Sequence, residues 1–289
     1  MSIGYACINL SLGKNVTTNR TMIKRTFLTK GVDYASDLIL QNVIDLEKII
    51  DWNHAHGINF YRMSGEMFPW ATEYAFTDLK DWDAISAQLL VCGAKATQYN
   101  QRLTFHPGPF NVLVSPKKHV VTNTLKDLEI HGKIMDAMGL SKTPYNKINI
   151  HCNGVYGDKP SALNRFVTNF AHLSDSVRHR LTIENDDKAS MYSVHDLMFI
   201  HNKIGIPIVF DYHHHTFNTG GLSEQTALEL AISSWPVGIR PVVLYSESRA
   251  GSKPQAHSDY IDAIPNTYNT DVDIMVEAKQ KDLAIIKFI

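Results

Sequence analysis

Residues of metal-binding types stand directly after five short apolar runs of this chain. They are His106 after residues 103–105, His151 after 148–150, Glu184 after 181–183, Asp211 after 208–210 and Glu277 after 274–276. A single histidine at the end of a strand is most often a hydrogen-bonded core residue. Five such ends in one chain are instead typical of a metal site built at one mouth of a parallel barrel.

Two further histidines extend the candidate ligand set. His214 follows Asp211 by three residues, and His257 lies between the last two apolar runs. Mixed imidazole and carboxylate ligands suit Zn²⁺, Mn²⁺ or Fe²⁺ rather than Ca²⁺. Seven ligands exceed the needs of one ion, so the sequence predicts two or three ions. Paired ions bridged by a carboxylate recur in phosphodiester hydrolysis, where one activates water and others stabilise the attacking and leaving oxygens.

The elements that must position these ligands follow from the alternation of short β-branched runs with helical segments. Strands are predicted to start near residues 3, 58, 103, 148, 181, 208, 242 and 274, and helices to cover residues 38–54, 82–98, 123–138, 162–174 and 193–204. Eight such units predict a single α/β domain over residues 1–289, a (β/α)8 TIM barrel with its site at the C-terminal face of the strands. A doubly wound sheet usually brings a Gly-rich turn after the first strand, and none is present. The long connection at residues 11–36 is expected to be a functional loop.

Bulk composition fits one globular domain. The chain has 289 residues, 44% of them hydrophobic, and a formal net charge of −1. A near-neutral protein has no global basic field for nucleic acid, so any contact with a polyanion must be local. No run is long enough to span a membrane, and the N-terminus lacks the features of a signal peptide. We therefore expect a soluble cytoplasmic protein with no membrane partner, and a monomer.

The three cysteines are odd in number and have no CxxC spacing, which favours reduced thiols. Cys152 stands next to His151 and could supply a thiolate ligand. A small buried side chain is the more ordinary role for such a residue.

Short motifs spread over almost the whole chain occur in one order and spacing. They are Gly4-Tyr5, Asn9-Leu10, TTNRT at 17–21, FHPG at 105–108, Ile150-His151, Tyr156-Gly157, IEND at 183–186, Phe210-Asp211, His214-His215 and MVEAK at 275–279. Together they resemble the UV damage endonucleases, a branch of the endonuclease IV and xylose isomerase-like barrels. The resemblance runs from Gly4 to about Lys281.

The resemblance implies a metal-dependent enzyme, usually supplied with Mn²⁺, that acts on damaged double-stranded DNA. It would cut immediately 5′ to a pyrimidine dimer, a 6-4 photoproduct or an abasic site. The catalytic carboxylates would be Glu184, Asp211 and Glu277, with Glu184 bridging two ions. The implied ligand pairs are His106 and His151 at one ion, Asp211 and Glu277 at another, and His214 and His257 at a third. Mg²⁺ or Zn²⁺ is the alternative ion.

The resemblance also implies where DNA binds. Tyr5 and Asn9 match positions near the flipped-out lesion, and Asn19 and Arg20 match the Thr-Asn-Arg motif of the first loop. Four basic residues near this motif form a local positive patch of the kind that a phosphate backbone requires, namely Lys14, Lys24, Arg25 and Lys30.

The sequence departs from the family pattern in three segments. The family strand Pro-Lys-x-His-x-Ser has Val242 and Leu244 here, which leaves Glu184, Asp211 and Glu277 as an all-carboxylate shell and predicts a preference for Mn²⁺ or Mg²⁺ over Zn²⁺. Glu247 could replace the lost histidine or remain a loop carboxylate. The family Gln-Tyr pair that probes the duplex is Pro109-Phe110 here. Glu66 replaces a shorter acid or a histidine, either as an extra ligand or as a loop residue.

Two other functions stay open on the sequence. A metal-dependent sugar isomerase or epimerase would use the same barrel, but the Thr-Asn-Arg loop and the His-Pro-Gly motif argue against it. A lesion-binding relative with impaired catalysis is motivated by Leu244. The cluster at Tyr212–His215 is expected to be a loop in which alternate residues point apart, so that one or two of its histidines face the metals.

Overall fold

Eight strands of four residues each form a closed parallel barrel, in which neighbours in the chain are neighbours in the barrel and the last strand pairs with the first. The computed structural model describes residues 1–289. The strands are β1 (Ile3–Ala6), β2 (Phe60–Met63), β3 (Arg102–Phe105), β4 (Ile148–His151), β5 (Leu181–Glu184), β6 (Ile208–Asp211), β7 (Val242–Tyr245) and β8 (Asp273–Val276). The predicted TIM barrel is confirmed.

Helices connect the strands and cover the outside of the barrel. They are α1 (Lys24–Ala55), α2 (Trp82–Gln98), α3 (Lys118–Ala137), α4 (Lys159–Phe170), α5 (Asp175–Arg178), α6 (Val194–Ile204), α7 (Tyr212–Phe217), α8 (Glu224–Ser233) and α9 (Lys281–Ile285), with 3₁₀ turns at Ala71–Glu73, Phe76–Asp78, Pro144–Asn146 and Ile286–Phe288. Ser193 and Ser223 accept backbone N–H groups at the starts of α6 and α8, and therefore cap these helices. Each predicted helix is present.

Two sequence predictions about local structure are wrong. The first is the long loop at residues 11–36, because α1 already begins at Lys24 and is interrupted only at Gly31, where φ is +68°. Its first turns have little apolar periodicity and gain their stability from tertiary packing, with the Phe27 ring stacked on Trp70 at 5.7 Å. The second is the loop at Tyr212–His215, which is the helix α7, capped by Asp211.

The barrel interior is layered because strand side chains alternate between two faces. Val209, Leu244 and Met275 belong to one apolar cluster inside the barrel, and Leu244 pairs in register with both Asp211 and Met275. Leu244 is fully buried. Asp211 lies two residues beyond Val209 on the same face of β6, so Val209 lies beneath the level of the predicted ligands, whereas Leu244 lies at the level of Asp211.

The lower end of the barrel is closed by a buried arginine. Arg102 is 1% exposed and its guanidinium lies 3.0 Å from Asp273 Oδ2. It also donates to the carbonyl oxygens of Pro144, Tyr145 and Arg240 at 2.7 to 2.9 Å. One side chain thus joins β3 and β8 to the loops that enter β4 and β7.

The cysteines form no disulfide and supply no metal ligand. All three are free, and Cys152 is buried in the main core rather than among the metal-ligand groups. The chain contains no helix with the length and apolar character needed to cross a bilayer.

We predict that Arg102→Met lowers the free energy of unfolding by about 3 kcal/mol, because it removes the donor of three carbonyl groups and the buried ion-pair partner of Asp273, which keeps only Ser2 and the half-exposed Arg240. Urea unfolding followed by circular dichroism measures this change. Arg249→Met is the control, since Arg249 pairs with Asp259 at the surface and its loss is expected to change stability by less than about 1 kcal/mol. Equal effects of the two substitutions would contradict the role of Arg102.

Candidate metal centre

Glu184 lies at the centre of the mouth of the barrel. It ends β5, and its side chain is only 1% exposed. Its Oε2 atom lies 3.2 Å from His106 Nε2 and its Oε1 atom lies 2.8 Å from His151 Nε2. The Asn149 amide donates a further hydrogen bond to Glu184. The ligating atoms of His106, His151 and Glu184 lie within 4.8 Å of one another, as a metal site requires.

A second group of ligands shares Glu184. Its other members are Asp211 and His214, and the three ligating atoms again lie within 4.8 Å of one another. The backbone N–H of His214 donates to Asp211 Oδ1 at 2.8 Å, so the start of α7 fixes the aspartate and the histidine together. A carboxylate common to two ligand groups has the position that a bridging ligand needs.

Hydrogen bonds behind the ligands fix their orientation. His151 Nδ1 lies 2.9 Å from Asp186 Oδ1, and His106 Nδ1 lies 3.2 Å from the carbonyl oxygen of Pro107. With Nδ1 engaged as the donor, each ring presents Nε2 to Glu184, which is the usual arrangement of a metal-binding histidine. Asn185 holds the backbone of Asp211 through two reciprocal bonds of 2.8 and 2.9 Å.

The donor set fits a divalent cation. His151 Nε2 and Glu184 Oε1 both carry lone pairs and face each other at 2.8 Å, so a proton or a cation must lie between them. Although burial opposes it, His151 and His106 hold the pKa of Glu184 well below its usual range. Burial and the charges of Glu184 and Glu277 raise the pKa of Asp211 to about 7, against the lowering effect of His214. Divalent cations bound there would compensate these buried carboxyl groups.

Glu277 and His257 lie beside these two groups rather than in them. Glu277 forms an ion pair with Arg62, and although burial opposes it this arginine lowers the pKa of the carboxyl to about 2. His257 Nδ1 lies 2.8 Å from the carbonyl oxygen of Glu277 and 3.6 Å from its Oε2 atom. Five of the seven predicted ligands are therefore brought together as metal groups, and a role for Glu277 and His257 stays a prediction.

Sequence reasoning missed Arg62 and Asn149. Arg62 lies on β2, with a side chain 13% exposed and an Nε atom that has no hydrogen-bond partner. Arg62 precedes Ser64, the residue directly after β2, by two positions, and Asn149 precedes His151, the last residue of β4, by two positions. The alternation of side chains along a strand could have identified them.

The first loop is held in place by buried polar residues. Tyr5 is fully buried, its hydroxyl donates to Asn53 Oδ1 at 2.8 Å, and Asn9 donates to that hydroxyl at 2.9 Å. Arg20 lies 2.6 Å from Asp45, whose carboxylate is fully buried, and Asn19 accepts a hydrogen bond from Ser64. These contacts shape the loop, and direct contact of its residues with a lesion stays a prediction.

The loop after His106 carries an exposed aromatic ring. Phe110 is 89% exposed and follows Pro109 in a turn. A ring so exposed contributes nothing to the core and is free to contact a partner. The two acidic residues suggested as replacement ligands, Glu66 and Glu247, belong to neither metal group.

Comparison with known proteins identifies the family. Residues 1–289 match the family described as "UV-endonuclease UvdE". The chain belongs to this family. It is 36% identical to a UV-damage endonuclease of Schizosaccharomyces pombe over 99% of this chain and 49% of the relative, so it spans about half of that protein. It is 34% identical to a UV DNA damage endonuclease of Bacillus cereus strain B4264, over 94% of this chain and 87% of the relative.

Solved structures agree with this assignment. The crystal structure of SacUVDE matches with a TM-score of 0.88 and 32% identity, covering 99% of this chain and 96% of that chain. A D-psicose 3-epimerase from Clostridium cellulolyticum matches with a TM-score of 0.53 at 12% identity, over 80% of this chain and 79% of that chain, which shows a shared fold alone. The family assignment therefore rests on the UV damage endonucleases, and the likeness to the epimerase is one of fold alone.

We predict that Glu184→Gln weakens Mn²⁺ binding by about 100-fold or more, because the amide removes a charged ligand common to both groups. Titration of metal-stripped protein, with free Mn²⁺ followed by electron paramagnetic resonance, measures the affinity and the number of ions. Glu247→Gln is the control, since Glu247 already accepts from Tyr245 and from the backbone of Asp262 outside the two groups. Unchanged affinity in Glu184→Gln would overturn the assignment.

Proposed function

We propose that this endonuclease is metal-dependent and hydrolyses the phosphodiester immediately 5′ to pyrimidine dimers and 6-4 photoproducts, and to abasic sites. The observation that carries the proposal is the placement of Glu184 between two ligand groups at the open mouth of the barrel. Two ions follow from these groups, with a third possible position beside Glu277 and His257. Divalent ions bound there would supply Lewis-acid activation of water and neutralise charge on the phosphate.

The residues of the chain have distinct roles in this proposal. His106, His151 and Asn149 fix the Glu184 carboxylate, so that little reorganisation is needed when the substrate binds. The Arg62 guanidinium lies at the same mouth, held by Glu277, and is suited to stabilise negative charge on a phosphate. The apolar cluster of Val209, Leu244 and Met275 borders the site on the side of β6 to β8.

The Mn²⁺ preference rests on the ligands that remain around the position of Leu244. Its side chain is packed in the apolar cluster next to Asp211, so no imidazole enters the site from β7. Glu184 and Asp211 therefore dominate the second group, with His214 as its single nitrogen ligand. Oxygen-rich shells favour Mn²⁺ or Mg²⁺ over Zn²⁺. Of these two ions we propose Mn²⁺ rather than Mg²⁺, because the first group keeps the two imidazole ligands of His106 and His151.

Double-stranded DNA is the proposed partner, and the mouth of the barrel offers the features to grip it. The basic residues near the first loop, Lys14, Lys24, Arg25 and Lys30, are all exposed. Arg20 is committed to Asp45, so the exposed residues rather than Arg20 supply most of the attraction for phosphate. Phe110 is positioned to fill the gap that an extruded lesion leaves.

We predict a lesion-dependent nick directly 5′ to the damage when metal-stripped protein is supplied with Mn²⁺. End-labelled duplexes with one cyclobutane dimer, one abasic site or no lesion are the substrates, and Mg²⁺ and Zn²⁺ are compared with Mn²⁺. Mn²⁺ is expected to give the highest rate. Glu184→Gln is expected to abolish the nick, and Glu247→Gln to retain it.

Other outcomes of this assay would contradict the proposal. Tight binding to damaged duplex without a nick under any ion would identify a lesion-binding protein that has lost its chemistry. If the protein neither binds nor nicks the damaged duplex, damaged DNA is excluded as its substrate. Cleavage at full rate without added metal would overturn the metal dependence.

We predict that Phe110→Ala weakens binding to a dimer-containing duplex by about tenfold while Mn²⁺ affinity is unchanged, because base stacking on an aromatic ring contributes about 1–3 kcal/mol. Fluorescence anisotropy with labelled duplex measures the dissociation constant. Val237→Ala is the matched control, since Val237 is fully exposed in the loop that enters β7 at the opposite end of the barrel. Equal affinities of both variants would exclude stacking by Phe110.

A further inference from the structure

A half-buried lysine lies at the mouth of the barrel, beside the metal groups. Lys281 follows Glu277 by four residues and begins α9, directly after the loop that leaves β8. The titratable groups that act on its ammonium group are Cys7, Arg62, Glu277 and the exposed Lys279. Lys281 therefore belongs to the same part of the mouth as the ion pair between Arg62 and Glu277.

Contacts on both sides fix the position of Lys281. The next residue, Asp282, is fully buried, and its carboxylate accepts two backbone N–H groups of the first loop at 2.6 and 3.1 Å and the Ser11 hydroxyl at 2.6 Å. The preceding residue, Gln280, donates its backbone N–H to the carbonyl oxygen of Asp259 at 2.9 Å. Lys281 is thus held between the first loop and the segment that follows β7.

The backbone of Lys281 has a left-handed conformation. Its φ angle is +50°, in the region where the Cβ atom of an L-residue approaches the following carbonyl oxygen too closely. A residue other than glycine keeps such a conformation only where the surrounding structure requires it, and positions of this kind cluster at functional sites. The chain therefore retains a lysine side chain at a position that glycine would occupy with less strain.

The Lys281 ammonium group has no anionic partner within the chain. It forms neither a hydrogen bond nor an ion pair, since the Glu277 carboxylate is paired with Arg62 instead. Burial lowers the pKa of Lys281, and the charge of Arg62 adds to this effect, whereas Cys7 and Glu277 oppose it. Two cations thus share one carboxylate, and a partly buried cation without a partner is unfavourable. An anion bound beside Lys281 would supply the missing partner.

We propose that the Lys281 ammonium group binds one phosphate of the DNA strand that is cut, and thereby fixes the register of this strand on the metal centre. The proposal rests on the proposed function, since that function brings the strand to this mouth of the barrel. A phosphate suits the site because an ammonium group on a flexible stem binds it as a compact charge with three donors. Contacts to phosphate position a duplex without reading its sequence. Lys281 is a positioning residue in this proposal.

Loss of the amine tests the contact. Lys281→Met is expected to weaken binding to a dimer-containing duplex by about tenfold, and to lower the slope of log affinity against log salt by about one, because one phosphate contact is lost. Fluorescence anisotropy with metal-stripped protein at several salt concentrations measures both. Mn²⁺ affinity is expected to be no weaker than in the wild type, since removal of a cation cannot weaken the binding of another cation.

Lys279→Met is the matched control. It removes the same charge from the same loop, but Lys279 is exposed and its ammonium group stays hydrated. We expect this variant to change DNA affinity by less than about twofold.

Lys281→Gly separates DNA binding from folding. Glycine adopts the φ angle of +50° without strain, so this variant is expected to keep or exceed the wild-type Tm while it loses as much DNA affinity as Lys281→Met. Thermal unfolding followed by circular dichroism measures the Tm. A lower Tm together with unchanged DNA affinity would identify a structural role for the side chain and overturn the proposal.

A methylphosphonate scan identifies the phosphate. Neutral methylphosphonates replace single phosphates of the cut strand on both sides of the dimer, and each duplex is measured with the wild type and with Lys281→Met. We expect one position at which this replacement weakens binding by the wild type about tenfold but has little further effect on Lys281→Met. Additive losses at every position would overturn the contact.

The two proposals fail in different ways. Equal affinities and equal salt slopes of Lys281→Met and Lys279→Met, with lesion-dependent nicking by the wild type intact, overturn the role of Lys281 alone. Absence of lesion-dependent nicking by the wild type with any ion overturns the proposed function instead.

Discussion

Compensation of the buried Glu184 carboxylate is the constraint on which the rest of the site depends. An ionised carboxylate without partners is too costly to bury, so its neighbours must neutralise it. His106 and His151 contact Glu184 from the ends of the two preceding strands, β3 and β4. Asn149, two residues before His151 on β4, donates a hydrogen bond to the same carboxylate. Asp211 adds a further buried carboxyl group from the next strand, and the charges of Glu184 and Glu277 together with burial raise its pKa to about 7. In the proposed function a divalent cation would add to this compensation, so that metal binding would be coupled to the structure of this mouth of the barrel.

The two-residue period of the strands links this site to the far end of the barrel. Arg102 and His106 lie on the same inward face of β3, so the residue that closes the lower end and a ligand at the mouth are fixed by one strand. Between the two levels lie the apolar side chains of Val209 and Met275. Leu244, at the position where the resemblance to the family implies a histidine, is fully buried in the same apolar cluster. The five ligands of the two groups come from the ends of β3, β4, β5 and β6 and from α7, so none of them depends on a ligand from β7.

Much of this architecture could be predicted from the sequence, because the features that encode it are local. Apolar runs ending at His151 or Glu184 locate both the strands and the mouth of the barrel, since parallel strands bring their C-terminal ends together. The start of α1 at Lys24 could not be predicted, because it depends on the packing of Phe27 against Trp70. The pairing of Arg62 with Glu277 could not be predicted either, since it joins residues more than 200 positions apart. The family motifs identify which residues belong to the site, whereas the tertiary structure determines with which residues they pair.

The charge balance of the chain bears on how damage is selected. With a net charge of −1, the protein has weak long-range attraction for DNA, and Arg20 is already neutralised by Asp45. The exposed basic residues near the first loop attract damaged and intact duplexes alike, so in the proposed function selection must depend on contacts that form only when the duplex opens, such as stacking on the exposed Phe110 ring. Opening costs least where pairing is already impaired. In this proposal intact DNA is rejected because of its high cost of opening.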